Sequence, residues 1–347
     1  MKKLFIILSV FLFSISFPMK AQFDTQLSNY WAVTNYYNPG YAGQSEKLEF
    51  AGLYRLQWLG IENAPKSGII AGNMPVNVFG KQHGAGISLY NDQLGLFKTS
   101  VMSGQFAYKL KFLGNNLGIG LQVGYINESF DGSKVKLPGD DDSENVESGS
   151  SSNDEAIPSS TVSGSSIDAA FGLFYSKKDK GYVGISVTHL TAPKLELTDN
   201  IFLEIPRTYY FTAGYNIKLN NPLIELRPSV LMKTVELSSF YVESDSLVAV
   251  NKGNTLKGMW KQTQIDVSMR MVYNKSLWGG VSWRKDDAIV VMLGTQFKMF
   301  EIGYAYDFPI SKIRTVSTGS HELFLRYSMD LDMKKGKKGN YKSVRIL

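Results

Sequence analysis

The stretch QIDVSMRMVY, residues 264–273, alternates strictly between two kinds of side chain. Successive side chains of an extended chain point to opposite faces, so a period of two predicts a β-strand with one apolar and one polar face. The same alternation returns in NLGIGLQVGYI (116–126), in FEIGYAYDF (300–308) and over residues 322–331. In the first stretch, the apolar face carries Ile265, Val267, Met269, Met271 and Tyr273, and the polar face carries Gln264, Asp266, Ser268 and Arg270.

The alternating segments favour a membrane barrel over a soluble sandwich. They run about ten residues, the length of a tilted membrane strand, and carry aromatic residues near their ends. In lipid, only a closed barrel satisfies every backbone group of a sheet. The sequence therefore predicts an all-β, transmembrane, antiparallel outer-membrane β-barrel of about 14 strands, with 12 or 16 as alternatives. The predicted strands are 48–59, 67–78, 84–92, 97–112, 116–130, 166–176, 181–190, 207–218, 222–235, 263–274, 277–285, 288–298, 300–309 and 319–332.

The connections between these strands fall into two classes. Every second connection is short and polar, and the others include the long segments 131–165, 191–206 and 236–262. Outer-membrane barrels have short periplasmic turns and longer external loops. With an even strand count, this sorting predicts that both termini of an integral outer-membrane protein lie in the periplasm.

The two ends of the chain differ from the barrel in composition. Residues 1–21 have a basic start and an apolar stretch, which predicts a secretory signal peptide, with a retained helix as the alternative. Its removal leaves 34 basic and 31 acidic residues, so the basic balance is no argument for nucleic acid. Residues 333–347 form a basic tail that is predicted to be periplasmic. Either it rests on acidic lipid, or it docks an acidic partner through Lys334, Lys335, Lys337 and Lys338.

Residues 131–165 form an acidic, serine-rich segment with eight acids and two lysines. Low hydrophobicity and like charge predict a solvated extracellular loop, with attraction of a divalent cation as the weaker alternative. Residues 48–332, which include this loop, are predicted to form the transmembrane β-barrel. There is no cysteine, and the three histidines are far apart, so the sequence predicts no enzyme, metal site or cofactor.

The polar faces of the predicted strands carry charges of both signs. A wide pore, a salt-bridged network across the lumen and a filled barrel are all compatible with such faces. Balanced signs argue mildly against an ion-selective channel. The residues predicted to form a lumen network are Arg55, Glu225, Arg227, Asp266, Arg270, Arg284, Glu301, Asp307, Glu322 and Arg326.

Residues 22–47 lie between the signal peptide and the first strand and contain the motif NYYNPGYAG (35–43). Proline and glycine favour tight turns, and the aromatic rings supply large rigid surfaces. We expect a periplasmic plug or cap for the barrel, with an interfacial aromatic anchor as the alternative. The plug or cap residues are Trp31, Tyr36, Tyr37, Asn38, Pro39, Gly40, Tyr41, Ala42 and Gly43.

Five motifs occur together in a fixed order: NPGYAG (38–43), YRLQW (54–58), GAGISLYNDQLG (84–95), YDFPIS (306–311) and GSHE (319–322). With them, the chain resembles the PorP/SprF family of the Bacteroidetes type IX secretion system. Gly40, where the family usually has alanine, and the long acidic loop depart from its pattern.

The resemblance implies a non-enzymatic outer-membrane component of protein secretion, with gliding or surface anchoring as an additional role in the family. It also implies three kinds of partner: a periplasmic ring lipoprotein complex, a peptidoglycan-associated lipoprotein and the C-terminal domains of exported proteins. The alternative function is a passive porin or a transporter of hydrophobic solutes.

Overall fold

The chain folds into a closed antiparallel barrel of fourteen strands, as the alternation predicts. The computed structural model describes residues 24–135, 158–198, 201–236, 239–243, 246–250 and 263–331. The predicted signal peptide, most of the acidic loop and the basic tail lie outside these residues. The barrel strands are β1 (Lys47–Leu59), β2 (Lys66–Val78), β3 (Lys81–Leu94), β4 (Phe97–Phe112), β5 (Asn115–Asp131), β6 (Thr161–Lys177), β7 (Gly181–Thr188), β10 (Thr208–Tyr215) with its continuation β11 (Ile217–Lys218), β12 (Ile224–Val235), β15 (Gln264–Tyr273), β16 (Leu277–Arg284), β17 (Ala288–Phe297), β18 (Phe300–Pro309) and β19 (Gly319–Asp330).

Each barrel strand pairs with its neighbours in chain order, and β1 pairs with β19 to close the barrel. The closing register sets Lys47 opposite Asp330 and Arg55 opposite Glu322. Both pairs join opposite charges across the seam, an arrangement that favours this register over a slipped one.

The two faces of the wall follow the sequence alternation. On β15, Asp266, Ser268 and Arg270 point inward and are buried, whereas Val267 and Met269 point outward and are exposed. The outward apolar band is what a lipid-facing barrel requires.

The connections sort by length as predicted. One end of the barrel, here called the short-turn end, has tight connections such as Phe79–Gly80, where both residues have positive φ, 50° and 76°. Two successive positive φ values give a turn whose twist matches the strands of a hairpin. The other end, here called the long-loop end, carries the connections 132–160, 189–207 and 236–263.

Two additional hairpins occur within the long connections, and the sequence did not predict them. They are β8 (Lys194–Thr198) with β9 (Ile201–Glu204), and β13 (Ser239–Glu243) with β14 (Ser246–Val250). Strand β6 also begins at Thr161, inside the predicted acidic loop, because it pairs with the full length of β5.

The hairpin of β8 and β9 packs inward at the long-loop end. Leu195 and Ile205 are fully buried and form a small cluster with Ile126, which faces the lumen from β5. This pairing was missed because segments of four or five residues carry too short an alternation to stand out.

Residues 24–46 run lengthwise through the interior of the barrel. The segment consists of single helical turns, Tyr30–Val33, Thr34–Tyr37 and Pro39–Tyr41, and most of it is buried. No helix in the described parts of the chain is long and apolar enough to cross a membrane. Short turns suit this path, because helical turns satisfy part of the backbone locally while the strands' inward side chains satisfy the rest.

The segment runs from one end of the barrel to the other. Asp24 contacts Thr188 and His189 at the long-loop end, whereas Glu46 precedes β1 at the short-turn end. Leu331 follows β19 at the short-turn end as well. The described chain therefore begins at the long-loop end of the barrel and ends at its short-turn end. The strand count fixes only where β1 begins and β19 ends, and the preceding segment passes back through the lumen.

Candidate interaction site in the barrel lumen

Five charged side chains form a buried cluster near the long-loop end, here called the inner ion cluster: Arg55, Asp266, Arg284, Asp307 and Glu322. Asp307 accepts from both guanidinium groups, at 2.7 Å from each. Arg284 also contacts Asp266 at 2.6 Å, and Arg55 contacts Glu322 at 3.2 Å. Buried charges of this kind must be paired, because each isolated ion loses its hydration.

The N-terminal segment completes this cluster. Glu322 accepts the backbone N–H groups of Ser28 at 2.8 Å and Asn29 at 2.5 Å. The Ser28 hydroxyl donates to Asp307 at 2.7 Å and accepts from Arg55 and from Arg284, at 3.0 and 3.1 Å. Strands from both sides of the closing seam therefore hold the same two residues of the segment.

The motif NPGYAG packs against inward-facing glycines of the wall. A Cβ atom on Gly120 would lie 2.2 Å from the carbonyl carbon of Pro39, and one on Gly118 would lie 2.1 Å from the carbonyl oxygen of Gly40. Cβ atoms on Gly84 and Gly172 would likewise overlap residues 38–43. The missing side chains are what makes room for the segment's backbone.

Polar contacts fix the same motif. Asn38 accepts the backbone N–H of Gly40 at 2.9 Å through Oδ1, and its Nδ2 donates to the carbonyl of Leu173 at 3.1 Å. Lys109 donates to the carbonyl of Gly40 at 3.0 Å. Asn38 thus joins the turn of the segment to β6, which explains the choice of an amide with both donor and acceptor.

Aromatic rings of the segment are wedged between rings of the wall. Trp31 makes edge-on contacts with Trp278 and Phe324, at centroid distances of 5.2 and 5.1 Å. Tyr37 stacks on Tyr210 of β10 at a centroid distance of 5.3 Å. Such pairs contribute about 0.5–1.5 kcal/mol each beyond their burial.

Five further charged residues lie toward the short-turn end: Glu225, Arg227, Arg270, Glu301 and Arg326. Arg227 pairs with Glu225 at 3.1 Å, and Arg326 pairs with Glu301. The guanidinium of Arg270 instead lies 3.4 Å from the ring centre of Trp31, a cation–π contact. The predicted lumen network is thus resolved into two groups, the inner ion cluster and this second set at the mouth.

A third polar group surrounds His189, just beyond β7. Its Nδ1 lies 2.7 Å from Asp168 and its Nε2 lies 3.1 Å from Asp24, which also accepts from the Tyr210 hydroxyl. Burial alone would lower the pKa of His189, but Asp24 and Asp168 raise it to about 10, so the ring is charged at neutral pH. Lys233 donates to the Asp24 carbonyl at 2.9 Å. Among the described residues, no group of three or more metal-ligating side chains is arranged to hold a metal ion.

The structure places all nine residues of the predicted plug or cap inside the barrel, with Tyr36 and Tyr41 partly buried and the others buried. It places the ten predicted lumen residues on inward faces. The four predicted docking lysines fall outside the described residues. Sequence reasoning missed Asp24, Ser28, Asn29 and His189, because single polar residues in irregular segments give no periodic signal. It also missed Lys233, an inward residue of β12 whose hydrogen-bond partner is the backbone of Asp24.

Comparison with known proteins concerns both family and fold. A family model described as type IX secretion system membrane protein PorP/SprF matches residues 19–327. A comparison with curated proteins gives no match.

Three solved outer-membrane barrels illustrate the structural likeness. The first is a TodX deltaS2S3 mutant monoaromatic hydrocarbon channel, with a TM-score of 0.44 and 10% identity over 82% of this chain and 90% of that one. The second is the P. putida toluene transporter TodX, with a TM-score of 0.41 and 10% identity over 88% of this chain and 95% of that one. The third is BamA from Haemophilus ducreyi lacking POTRA domains 1-3, with a TM-score of 0.42 and 10% identity over 81% of this chain and 70% of that one. At such low identity the likeness concerns the fold alone.

Proposed function

Because the chain belongs to the PorP/SprF family of type IX secretion system membrane proteins, we propose that it acts as a non-enzymatic scaffold of that system in the outer membrane. The family match over residues 19–327 carries this proposal. In the proposed orientation, the short-turn end faces the periplasm, as in other barrels with short periplasmic turns. The long-loop end, where the hairpin of β8 and β9 packs into the lumen, faces the cell exterior.

The second part of the proposal is that residues 24–46 act as a plug. Support comes from the inner ion cluster, which binds Ser28 and Asn29, and from the wall glycines that accommodate the motif at residues 38–43. A segment held by buried charges and close backbone contacts resists displacement by solutes. This arrangement favours a closed scaffold over a passive porin.

Conductance in planar bilayers tests the plug. We expect the purified full-length protein to give little or no steady current, and a variant lacking residues 24–43 to give large channels. Heat-modifiable migration on gels confirms that both proteins are assembled barrels. Large, stable channels from the full-length protein would contradict the plug and favour the porin alternative.

The proposed partners are those that the family implies: a periplasmic ring lipoprotein complex, a peptidoglycan-associated lipoprotein and C-terminal domains of exported proteins. An affinity tag in the turn at residues 285–287 leaves the short-turn end free for capture from an outer-membrane extract. We expect type IX components in the eluate, and none with an unrelated barrel tagged in the same way. An eluate without any such component would contradict the scaffold role, whatever the conductance result.

A further inference from the structure

Arg270 is a buried cation without a carboxylate within ion-pair distance in the described part of the chain. Its side chain lies on the inner face of β15, and the residue is only 8% exposed. One side of its guanidinium covers the ring of Trp31, and its buried Nε has no hydrogen-bond partner. An aromatic face offsets only part of the hydration that a buried guanidinium loses, so the site favours an additional anion.

The neighbouring arginines add to the excess of positive charge around Arg270. Arg227 lies directly opposite Arg270 in the pairing of β12 with β15, and like charges in that position repel. Arg227 has its own carboxylate in Glu225, and Arg326 has Glu301. Arg270 is therefore the member of the three that lacks a carboxylate within ion-pair distance among the described residues.

These arginines line an open cavity at the short-turn end. It has a volume of about 820 Å³, and Trp31 and Arg270 lie on its wall. Seven basic and three acidic side chains line it, including Lys177, Lys178 and Lys180 of the turn between β6 and β7. The excess of positive charge attracts anions toward the buried guanidinium.

We infer that this cavity binds a carboxylate of an acidic peptide segment from a partner protein, with Arg270 as the anchoring cation. The inference rests on the proposed function in one respect, namely that the short-turn end faces the periplasmic machinery. A guanidinium edge matches a carboxylate in a bidentate geometry. Gln82, Asn116 and Asn216 also line the cavity, and their amide groups suit the backbone of an extended peptide.

Two other occupants fit less well. The chain's own tail continues from Leu331 at the rim of the cavity, but residues 333–347 carry six basic residues and no acidic one. Like charge would repel the tail, which instead adds to the attraction for an acidic partner. Lipid head groups contact the outer rim of a barrel, whereas Arg270 is inside its lumen.

The test measures binding of a short fluorescent peptide of alternating glutamate and serine to the full-length barrel in detergent. A matched peptide has glutamine in place of glutamate. We expect the wild-type protein to bind the acidic peptide and not the amide peptide. Arg270→Gln should weaken binding about 10- to 100-fold, the range for loss of a charged hydrogen-bonded contact. Arg270→Lys should lie between the two.

Arg314→Gln provides the matched control, since it removes the same charge from an exposed position at the long-loop end. It should leave peptide binding unchanged. Heat-modifiable migration establishes that each variant is assembled, and Arg227→Gln gives a second test of the same wall if Arg270→Gln does not assemble.

Equal losses in the Arg270 and Arg314 variants would overturn the inference, because the attraction would then be general charge. Displacement of the acidic peptide by inorganic phosphate at equal concentration would also overturn it in favour of a phosphate site. Failure of peptide binding alongside intact capture of type IX components would reject this inference while leaving the proposed function standing.

Discussion

Replacement of Gly120 by alanine should release the N-terminal segment without opening the barrel wall. The added Cβ would lie 2.2 Å from the carbonyl carbon of Pro39 and 2.3 Å from the nitrogen of Gly40. Ordinary van der Waals contact begins at 3.4 Å, so the segment, which meets the added Cβ through its own backbone atoms, must move by about 1.2 Å. The hydrogen bonds of β5 with its neighbours lie in the plane of the sheet and are not affected by a side chain that projects into the lumen.

Overpacking of this kind costs about 1–3 kcal/mol. If the wall is unchanged, that energy acts on the equilibrium between the seated and the released segment, and it raises the released fraction about 5- to 150-fold. Ala32→Cys reports this fraction, because Ala32 is 7% exposed and the native chain has no cysteine. The rate of reaction with a thiol reagent should rise by the same factor in the double variant.

Gly104→Ala is the matched control, since a Cβ there would meet nothing within 4 Å. Combined with Ala32→Cys, it should leave the labelling rate of the introduced thiol at the level of the single variant. Two results would refute the reasoning: equal labelling in the Gly120 and Gly104 variants, or loss of heat-modifiable migration by Gly120→Ala at temperatures where Gly104→Ala retains it.

Three further outcomes follow from the charged groups and the topology. Glu322→Gln should lower the free energy of unfolding by about 3–5 kcal/mol, because it leaves buried cations and N–H donors short of an acceptor. The exposed control Glu62→Gln should have little effect. Comparable shifts of the unfolding midpoint in the two variants would contradict this reasoning. The pKa of His189 is raised to about 10, so its stabilisation is complete below about pH 6.5 and is lost as the pH rises toward 10; His189→Gln should flatten the stability profile over that interval, and an unchanged slope would contradict the charged ring. In intact cells, an impermeant thiol reagent should label Val316→Cys and not Lys178→Cys, and the reverse pattern would invert the proposed orientation.

The strands were predictable because their alternation is long and regular. On β15, every second residue from Asp266 to Arg270 faces the lumen, as the period of two requires. The alternation of residues 116–126 places the glycines at 118 and 120 on one face of the strand. It does not indicate which distant backbone segment packs against them, because a strand pattern carries no information about its neighbours in space.

The contacts of the N-terminal segment were harder to predict. The motif at residues 38–43 marked the segment as compact, yet its direction depends on Ser28 and Asn29, which meet carboxylates almost 300 positions away in the chain. The cluster of Asp24 with His189 is another long-range contact between irregular segments. Neither periodicity nor composition reports such contacts.

The hydrogen bonds from the central N-terminal segment to many points of the wall brace the barrel from its axis. Tyr30 reaches Ser229 on β12, Asn35 reaches the carbonyl of Gly72 on β2, and Asn38 reaches β6. A hollow cylinder flattens under a sideways load, whereas one braced from its axis keeps a round section until the braces break. A pull on the segment at the short-turn end is therefore shared among several strands of the wall, because the segment is bonded to them at successive points from Asn38 back to Ser28.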